Sequence, residues 1–175
     1  MDCKIVFLGG IHGTGKGFLS EKLCSNLSLE YLSASGLIKW SEINSDIENK
    51  FVKNISGTQE RLINALKITC KENQNYLLDG HYCLLNSIQE PTKVDFEVFS
   101  NINPIILLIV TAEPELIRER LMTRDGKDYD ISLITKMQTL EKSYAEEISS
   151  KLNVPLYLID EFNINDITEL IKPKI

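Results

Sequence analysis

Short apolar runs alternate with stretches of helical period from one end of the chain to the other. Lys4 to Leu8, Glu30 to Leu32, Tyr76 to Asp79, Ile105 to Val110 and Leu156 to Ile159 predict five strands. Between them, apolar residues at helical spacing predict helices. One runs from about Gly15 to Asn26, with Leu19 and Leu23 facing inward. A second is capped by Thr58 and runs to Cys70, carrying Leu62, Ile63 and Leu66 on its inner face. A third opens at Glu113-Pro114, with proline at a tolerated early position, and is interrupted by Arg124-Asp125-Gly126-Lys127-Asp128. A long helix from about Ile131 to Lys151 and a closing one from Ile164 to Ile171 complete the set. Three stretches break the pattern. Ser33-Ala34-Ser35-Gly36 interrupts it, and Leu37 to Trp40 resumes it weakly. Ser41 to Ile55 is polar and only loosely periodic, and residues 82–101 read as irregular. Strands joined by helical crossovers predict an α/β fold: a three-layer, doubly wound sheet of five parallel strands in one domain over residues 1–175. Ligands of such sheets sit beyond the carboxyl ends of the strands.

One stretch carries most of the chemistry. Gly10-Ile11-His12-Gly13-Thr14-Gly15-Lys16-Gly17 lies between the first strand and the first helix. Strand, glycine-rich loop and helix is the context that makes a G-x-x-x-x-G-K string a phosphate cradle. The glycines let several N–H groups converge on one anion, and the positive end of the helix faces the same place. Lys16 would set its ammonium on the outer phosphates of ATP, with the loop from Gly10 to Phe18 around them. The hydroxyl residue that commonly follows the lysine and touches magnesium is replaced by Gly17, and Phe18 comes next. A magnesium ion would therefore depend on water and nucleotide oxygens, with a carboxylate nearby. Asp79, at the end of an apolar strand, is expected to be that carboxylate, acting through water, although an aspartate at a strand end is also a common turn residue.

Arg118, Arg120 and Arg124 form a second basic feature. Arginine forks suit the oxygens of a transferring phosphoryl group. Arg120 and Arg124 share a helix face beside a glycine-containing break and are expected to belong to a short lid over about residues 120–130. Arg118 reads as solvated helix surface, with Glu115 and Glu119 as partners.

Composition narrows the classes. Hydrophobic residues make up 43% and charged residues 25% of 175, an ordinary globular mixture with enough chain for a substantial core. A net charge of -6 argues against general binding to nucleic acid or membrane. Cys3, Cys24, Cys70 and Cys83 have no zinc spacing and read as inert thiols of a reducing compartment. With no signal-peptide layout and no apolar run long enough to span a bilayer, the expectation is cytoplasmic.

These motifs resemble those of adenylate kinases. Gly10-x-x-Gly13-x-Gly15-Lys16-Gly17 looks like their phosphate loop, and Leu77-Leu78-Asp79-Gly80 is similar to their strand end. Arg120-Leu121-Met122-Thr123-Arg124 resembles the Arg-Leu-x-x-Arg that opens their lid. Asp79-Gly80-His81 also looks like the Asp-x-His of the archaeal and nuclear branch, as does the long helix with Tyr144 and Glu146-Glu147. The resemblance implies a P-loop kinase that moves a phosphoryl group from ATP with magnesium, using Lys16, Asp79, His81, Arg120 and Arg124. It also implies an acceptor-side segment at about residues 33–73. There Ser33, Ser35 and Gly36 could contact ribose or base, or simply cap a helix. Lys39 and Arg61 are candidate phosphate contacts with an equal claim to be surface charges. Gln59 and Trp40 are weaker candidates, for base reading and for packing. His81 could orient water or the acceptor, or be structural. In His12 the backbone is expected to matter more than the ring.

The expected function is thus an ATP-dependent phosphotransferase of nucleoside monophosphates, serving a nucleotide donor and a small phosphate- or hydroxyl-bearing acceptor. Two alternatives stay open: a small-metabolite or polynucleotide-end kinase, and an ATP-binding or ATPase assembly module with a protein partner.

Overall fold

The computed structural model describes residues 3–44, 55–160 and 163–175. Its strands are β1 (Lys4–Gly9), β2 (Glu30–Ser33), β3 (Asn75–Asp79), β4 (Cys83–Leu85), β5 (Pro91–Lys93), β6 (Ile106–Val110) and β7 (Leu156–Ile159). The helices are α1 (Lys16–Leu27), α2 (Ala34–Asn44), α3 (Ile55–Thr69), α4 (Phe96–Ile102), α5 (Pro114–Asp125), α6 (Ile131–Leu152) and α7 (Ile164–Ile171). Five strands form one parallel sheet in the order β2-β3-β1-β6-β7, so the expected α/β architecture is the one observed. The register places Ser33 beside Asp79 and Asp79 beside Leu8. The carboxyl ends of β1, β2 and β3 therefore meet at one edge.

Alternation along β1 divides the core, because successive side chains point to opposite faces. Ile5 and Phe7 join Leu66, Phe99, Ala145 and Ile148 on one face. Val6 and Leu8 join Leu19, Leu23, Ile167 and Ile171 on the other, under α1 and α7. A smaller cluster of Ile11, Ile117, Leu121 and Ile134 ties the glycine loop to α5 and α6. Helices α1, α4, α5 and α6 each stop on a left-handed residue: Ser28, Asn103, Gly126 and Asn153.

Three expectations about local structure are corrected. Ser33-Ala34-Ser35-Gly36 does not break the chain: Ser33 ends β2, and α2 starts at Ala34. The Ser33 hydroxyl accepts the Gly36 N–H at 3.3 Å, which is how a serine cap starts a helix. Residues 82–101 are not irregular; they hold the antiparallel β4–β5 hairpin and α4, which Asp95 caps by accepting the Glu97 N–H. Helix α3 begins at Ile55, so Thr58 lies inside its first turn rather than capping it. Most of the polar Ser41–Ile55 stretch, residues 45–54, lies outside the described residues, as do the side chains of Trp40 and Thr58. Among the described residues no helix is long and apolar enough to cross a membrane.

The rings of Phe7, Tyr82 and Phe99 pack with centroids 5.0, 5.3 and 5.6 Å apart. Fully buried Tyr82 donates its hydroxyl to the Leu108 carbonyl at 3.0 Å. Gly9 makes room for it: a Cβ there would stand 2.2 Å from Tyr82 Cε2. Overpacking of this kind costs on the order of 1–3 kcal/mol. Gly9→Ala is expected to lose about 3 kcal/mol in urea unfolding. A change below about 0.5 kcal/mol would mean that the Tyr82 ring moves aside without strain.

Candidate functional site

The glycine loop leaves β1 and turns into α1 through backbone geometry that side chains resist. Gly10 has φ 141° and Gly13 φ 86°. A Cβ at Gly10 would also lie 2.6 Å from the Val110 carbonyl oxygen. Thr14 donates its hydroxyl to the Ile11 carbonyl at 2.9 Å, closing the loop on itself. Lys16 begins α1 and is buried, and its ammonium donates to the carbonyls of Gly10 and Ile11. Burial lowers the Lys16 pKa, while Asp79 and Glu141 act to raise it.

Two cavities flank this loop. The first, of about 690 Å³, is lined by Thr14, Gly15 and Phe18 of the loop and first helix turn, by Thr111 and Pro114 after β6, and by Arg120. Arg120 Nη1 donates to the Gly13 carbonyl at 3.2 Å. Gln138 of α6 fixes the far wall, accepting the Ala112 N–H at 3.0 Å and donating to its carbonyl at 2.9 Å. Half-exposed Phe18 carries the Lys22 ammonium 4.7 Å from its ring centroid.

The second cavity, of about 560 Å³, takes His12 and Lys16 from the loop and the start of α1. Its charged end holds His12, Lys16, Asp79 and His81. Ser33, Ser35 and Gln59 line it, whereas Gly36, Lys39 and Arg61 are not among its lining residues. Lys39 is exposed. The hairpin and α4, which sequence reasoning missed, supply much of the remaining wall through Leu84, Leu85, Thr92, Lys93 and Val98. Asp79 Oδ2 accepts the Tyr31 hydroxyl at 3.0 Å. Burial, then Asp79, pushes the Tyr31 pKa up to about 12, so it stays a donor.

The ring of His12 meets that of His81 edge-on, centroids 4.6 Å apart. Partial burial, then the neighbouring His81, Lys16 and Arg124, lowers the His12 pKa from 6.5 to about 4 against the opposing pull of Asp79. The unfolded chain therefore binds a proton between these values that the folded chain refuses. The stability contributed by this refusal is complete above about pH 6.5 and is lost as pH falls toward 4. His12→Gln should show a smaller loss of unfolding free energy between pH 7 and pH 4.5 than the parent protein. Equal losses would place no burden on this imidazole.

Glu141 is the residue that sequence reasoning passed over. It is fully buried on α6, and its Oε1 accepts the N–H groups of Tyr82 and Cys83, both at 3.1 Å. The same oxygen is 3.6 Å from His81 Nδ1, and among the described residues Oε2 has no hydrogen-bond partner. One signal was readable: Ile134, Glu141, Ala145 and Ile148 share the inward stripe of α6, where a carboxylate is out of place.

The arginines separate. Arg118 pairs with Asp128, both bonds at 2.7 Å, rather than with Glu115 or Glu119. Arg124 does not turn to the loop with Arg120; it forks onto Asp125 at 2.7 Å, and Asp125 also accepts the Tyr129 hydroxyl.

The sequence matches the AAA domain family over residues 9–138, more than half of the chain. The chain belongs to the AAA domain family. It is a P-loop, nucleotide- and ATP-binding protein, and the match starts at the glycine loop itself. No curated protein matches the sequence. A solved structure of an uncharacterized protein from Eubacterium ventriosum ATCC 27560 is similar in fold, with TM-score 0.54 at 16% identity over 98% of this chain and 97% of that one.

The AAA domain chain fits a triphosphate at its loop. Lys16 already rests on loop carbonyls, from which its ammonium can turn to phosphate oxygens, and Gly10 lets the loop pass close against Val110. Among the described residues no three of His, Cys, Asp and Glu cluster to hold a metal directly. A Cβ at Gly17 would meet nothing within 4 Å, so that side of the cradle stays open. A magnesium ion here would have to be carried by phosphate oxygens and water.

Proposed function

We propose that this AAA domain protein is a phosphotransferase that moves the terminal phosphoryl group of ATP to a small acceptor in the second cavity. The observation that carries the reading is that one glycine loop lines two separate cavities, the first through Thr14 and Gly15 and the second through His12 and Lys16. A hydrolase needs room for donor and water only; a second cavity of about 560 Å³ next to the cradle accommodates a second substrate. The likeness of the loop, of Leu77-Leu78-Asp79-Gly80 and of Arg120-Leu121-Met122-Thr123-Arg124 to adenylate kinases supports the same chemistry.

In this reading Lys16 and the loop N–H groups stabilise charge on the transferring phosphoryl, and bound magnesium neutralises phosphate oxygens. Arg120 holds the loop through Gly13. Asp79, oriented by Tyr31, would hold a water of a bound magnesium ion, and His81 lines the acceptor cavity. Ser33, Ser35 and Gln59 offer neutral hydrogen-bonding groups to the acceptor. Lys39, Arg61 and Gly36 have no assigned part.

Purified protein with ATP and magnesium, offered nucleoside monophosphates and alcohols in turn, should phosphorylate an acceptor, seen as a new phosphorus resonance. Inorganic phosphate as the sole product would overturn the reading in favour of an ATPase. Arg124 must leave Asp125 before it can touch a phosphoryl oxygen. Arg124→Ala is therefore expected to lower turnover by about tenfold, with ATP affinity unchanged within about twofold. Lost affinity with unchanged turnover would make it a donor-binding residue.

A further inference from the structure

The charge pattern of the second cavity points beyond the reaction to the acceptor. We infer that the acceptor is an uncharged hydroxyl compound with an apolar or aromatic body, not a nucleoside monophosphate. This rests on the phosphotransferase reading of the same site. The cavity is divided by polarity. At the loop end stand His12, Lys16, Asp79 and His81. The body of the cavity is walled by Phe7, Ile38, Leu62, Val98, Phe99 and Ile102, with Leu84 and Leu85 of the hairpin at its mouth. Leu84 and Leu85 stay about half exposed although they are large and apolar, as expected of a wall that receives an apolar partner.

A monophosphate acceptor would bring a dianion to the loop end, beside a triphosphate. Taking such charge out of water is costly unless cations meet it. Among the described residues the lysines and arginines lining this cavity are Lys16 and Lys93, and Arg124, whose charge reaches His12 at the loop end, is paired with Asp125 at 2.7 Å. Lys16 is engaged by the donor in the reading above. Lys93 is bound at 2.6 Å by Glu147, with its ammonium 4.6 Å from the Tyr144 ring centroid. Asp79 adds a negative charge to the lining at this end. A neutral alcohol avoids these costs and uses the neutral donors and acceptors of Ser33, Ser35 and Gln59. In the step implied, the alcohol oxygen forms a bond to the terminal phosphorus. The bond from that phosphorus to the bridging oxygen breaks, ADP leaves with the electron pair, and the hydroxyl proton passes to solvent.

A matched pair of probes tests the charge preference. With the donor site filled by magnesium and a non-hydrolysable ATP analogue, 2-naphthol and 2-naphthyl phosphate are titrated by calorimetry, and the methyl resonances of Leu62 and Val98 are followed. The alcohol should bind at least about 100-fold more tightly than its phosphate ester and shift both methyl signals. Leu85→Glu, at a partly exposed position, should weaken 2-naphthol about tenfold and leave the ATP analogue unaffected. Equal or tighter binding of the ester, or no shift at Leu62 and Val98, overturns the inference. A turnover arm offers ATP with AMP, adenosine or 2-phenylethanol. An ester of either alcohol supports the inference. ADP formed from AMP overturns it while leaving the phosphotransferase reading standing. Inorganic phosphate alone, from every mixture, overturns that reading instead, whatever the binding pair shows.

Discussion

Lys16→Met is expected to lower ATP turnover by about 10³-fold or more while the protein stays folded. The ammonium is buried at the start of α1 and is held by the carbonyls of Gly10 and Ile11, so it is already positioned where phosphate oxygens would replace them. Preorganised charge of this sort contributes most in a site shielded from water. The methionine side chain has nearly the same length and no charge to desolvate, so packing at the helix start survives. The measurements are ADP release under saturating ATP and thermal unfolding by circular dichroism. Turnover within tenfold of the parent protein would remove Lys16 from the chemistry.

Glu141→Leu should destabilise the fold by about 3 kcal/mol, whereas Glu141→Gln should stay within about 1 kcal/mol of the parent. Tyr82 and Cys83 are fully buried, and their N–H groups both point at Glu141 Oε1. Leucine leaves two donors out of reach of water, each costing on the order of 1–3 kcal/mol. Glutamine keeps a carbonyl oxygen in place for them. Relief from burying a carboxylate offsets part of the loss, which is why the figure is below the sum of two orphaned donors. Urea titration of both variants checks it. A leucine variant as stable as the glutamine one would show that the strand start after His81 finds other acceptors. The effect would reach the site as well, because the Glu141 contacts anchor the segment directly after Asp79-Gly80-His81.

The central strands β1, β3 and β6 were legible because each holds a short apolar run buried on both faces, and the edge strands β2 and β7, which are less buried, because helical patterns set them off. The glycine loop was legible because its backbone demands leave few residue choices. The hairpin over 83–93 was not. Its strands are short, and Pro91 argues against a strand in sequence terms. Proline is tolerated there because it opens a strand of a two-stranded ribbon. Ser33-Ala34-Ser35-Gly36 misled for a related reason: two serines and a glycine are turn residues, and the same serine chemistry starts a helix when the next turn can pack.

By itself the sequence determined the α/β order of elements, the phosphate-loop geometry and the strand-end position of Asp79, because these follow from local pattern and backbone sterics. Tertiary structure alone decided what shares a cavity. It brought the His12 ring onto His81, set Tyr31 on Asp79 and turned Arg124 away to Asp125. It also buried Glu141 beneath a strand 58 residues earlier in the chain and left Lys39 and Arg61 off the wall of the second cavity. The physical reason is range. Dihedral preferences and hydrophobic period act within a few residues, whereas the charge facing a ligand is the sum over helices and strands that meet only after the sheet has formed.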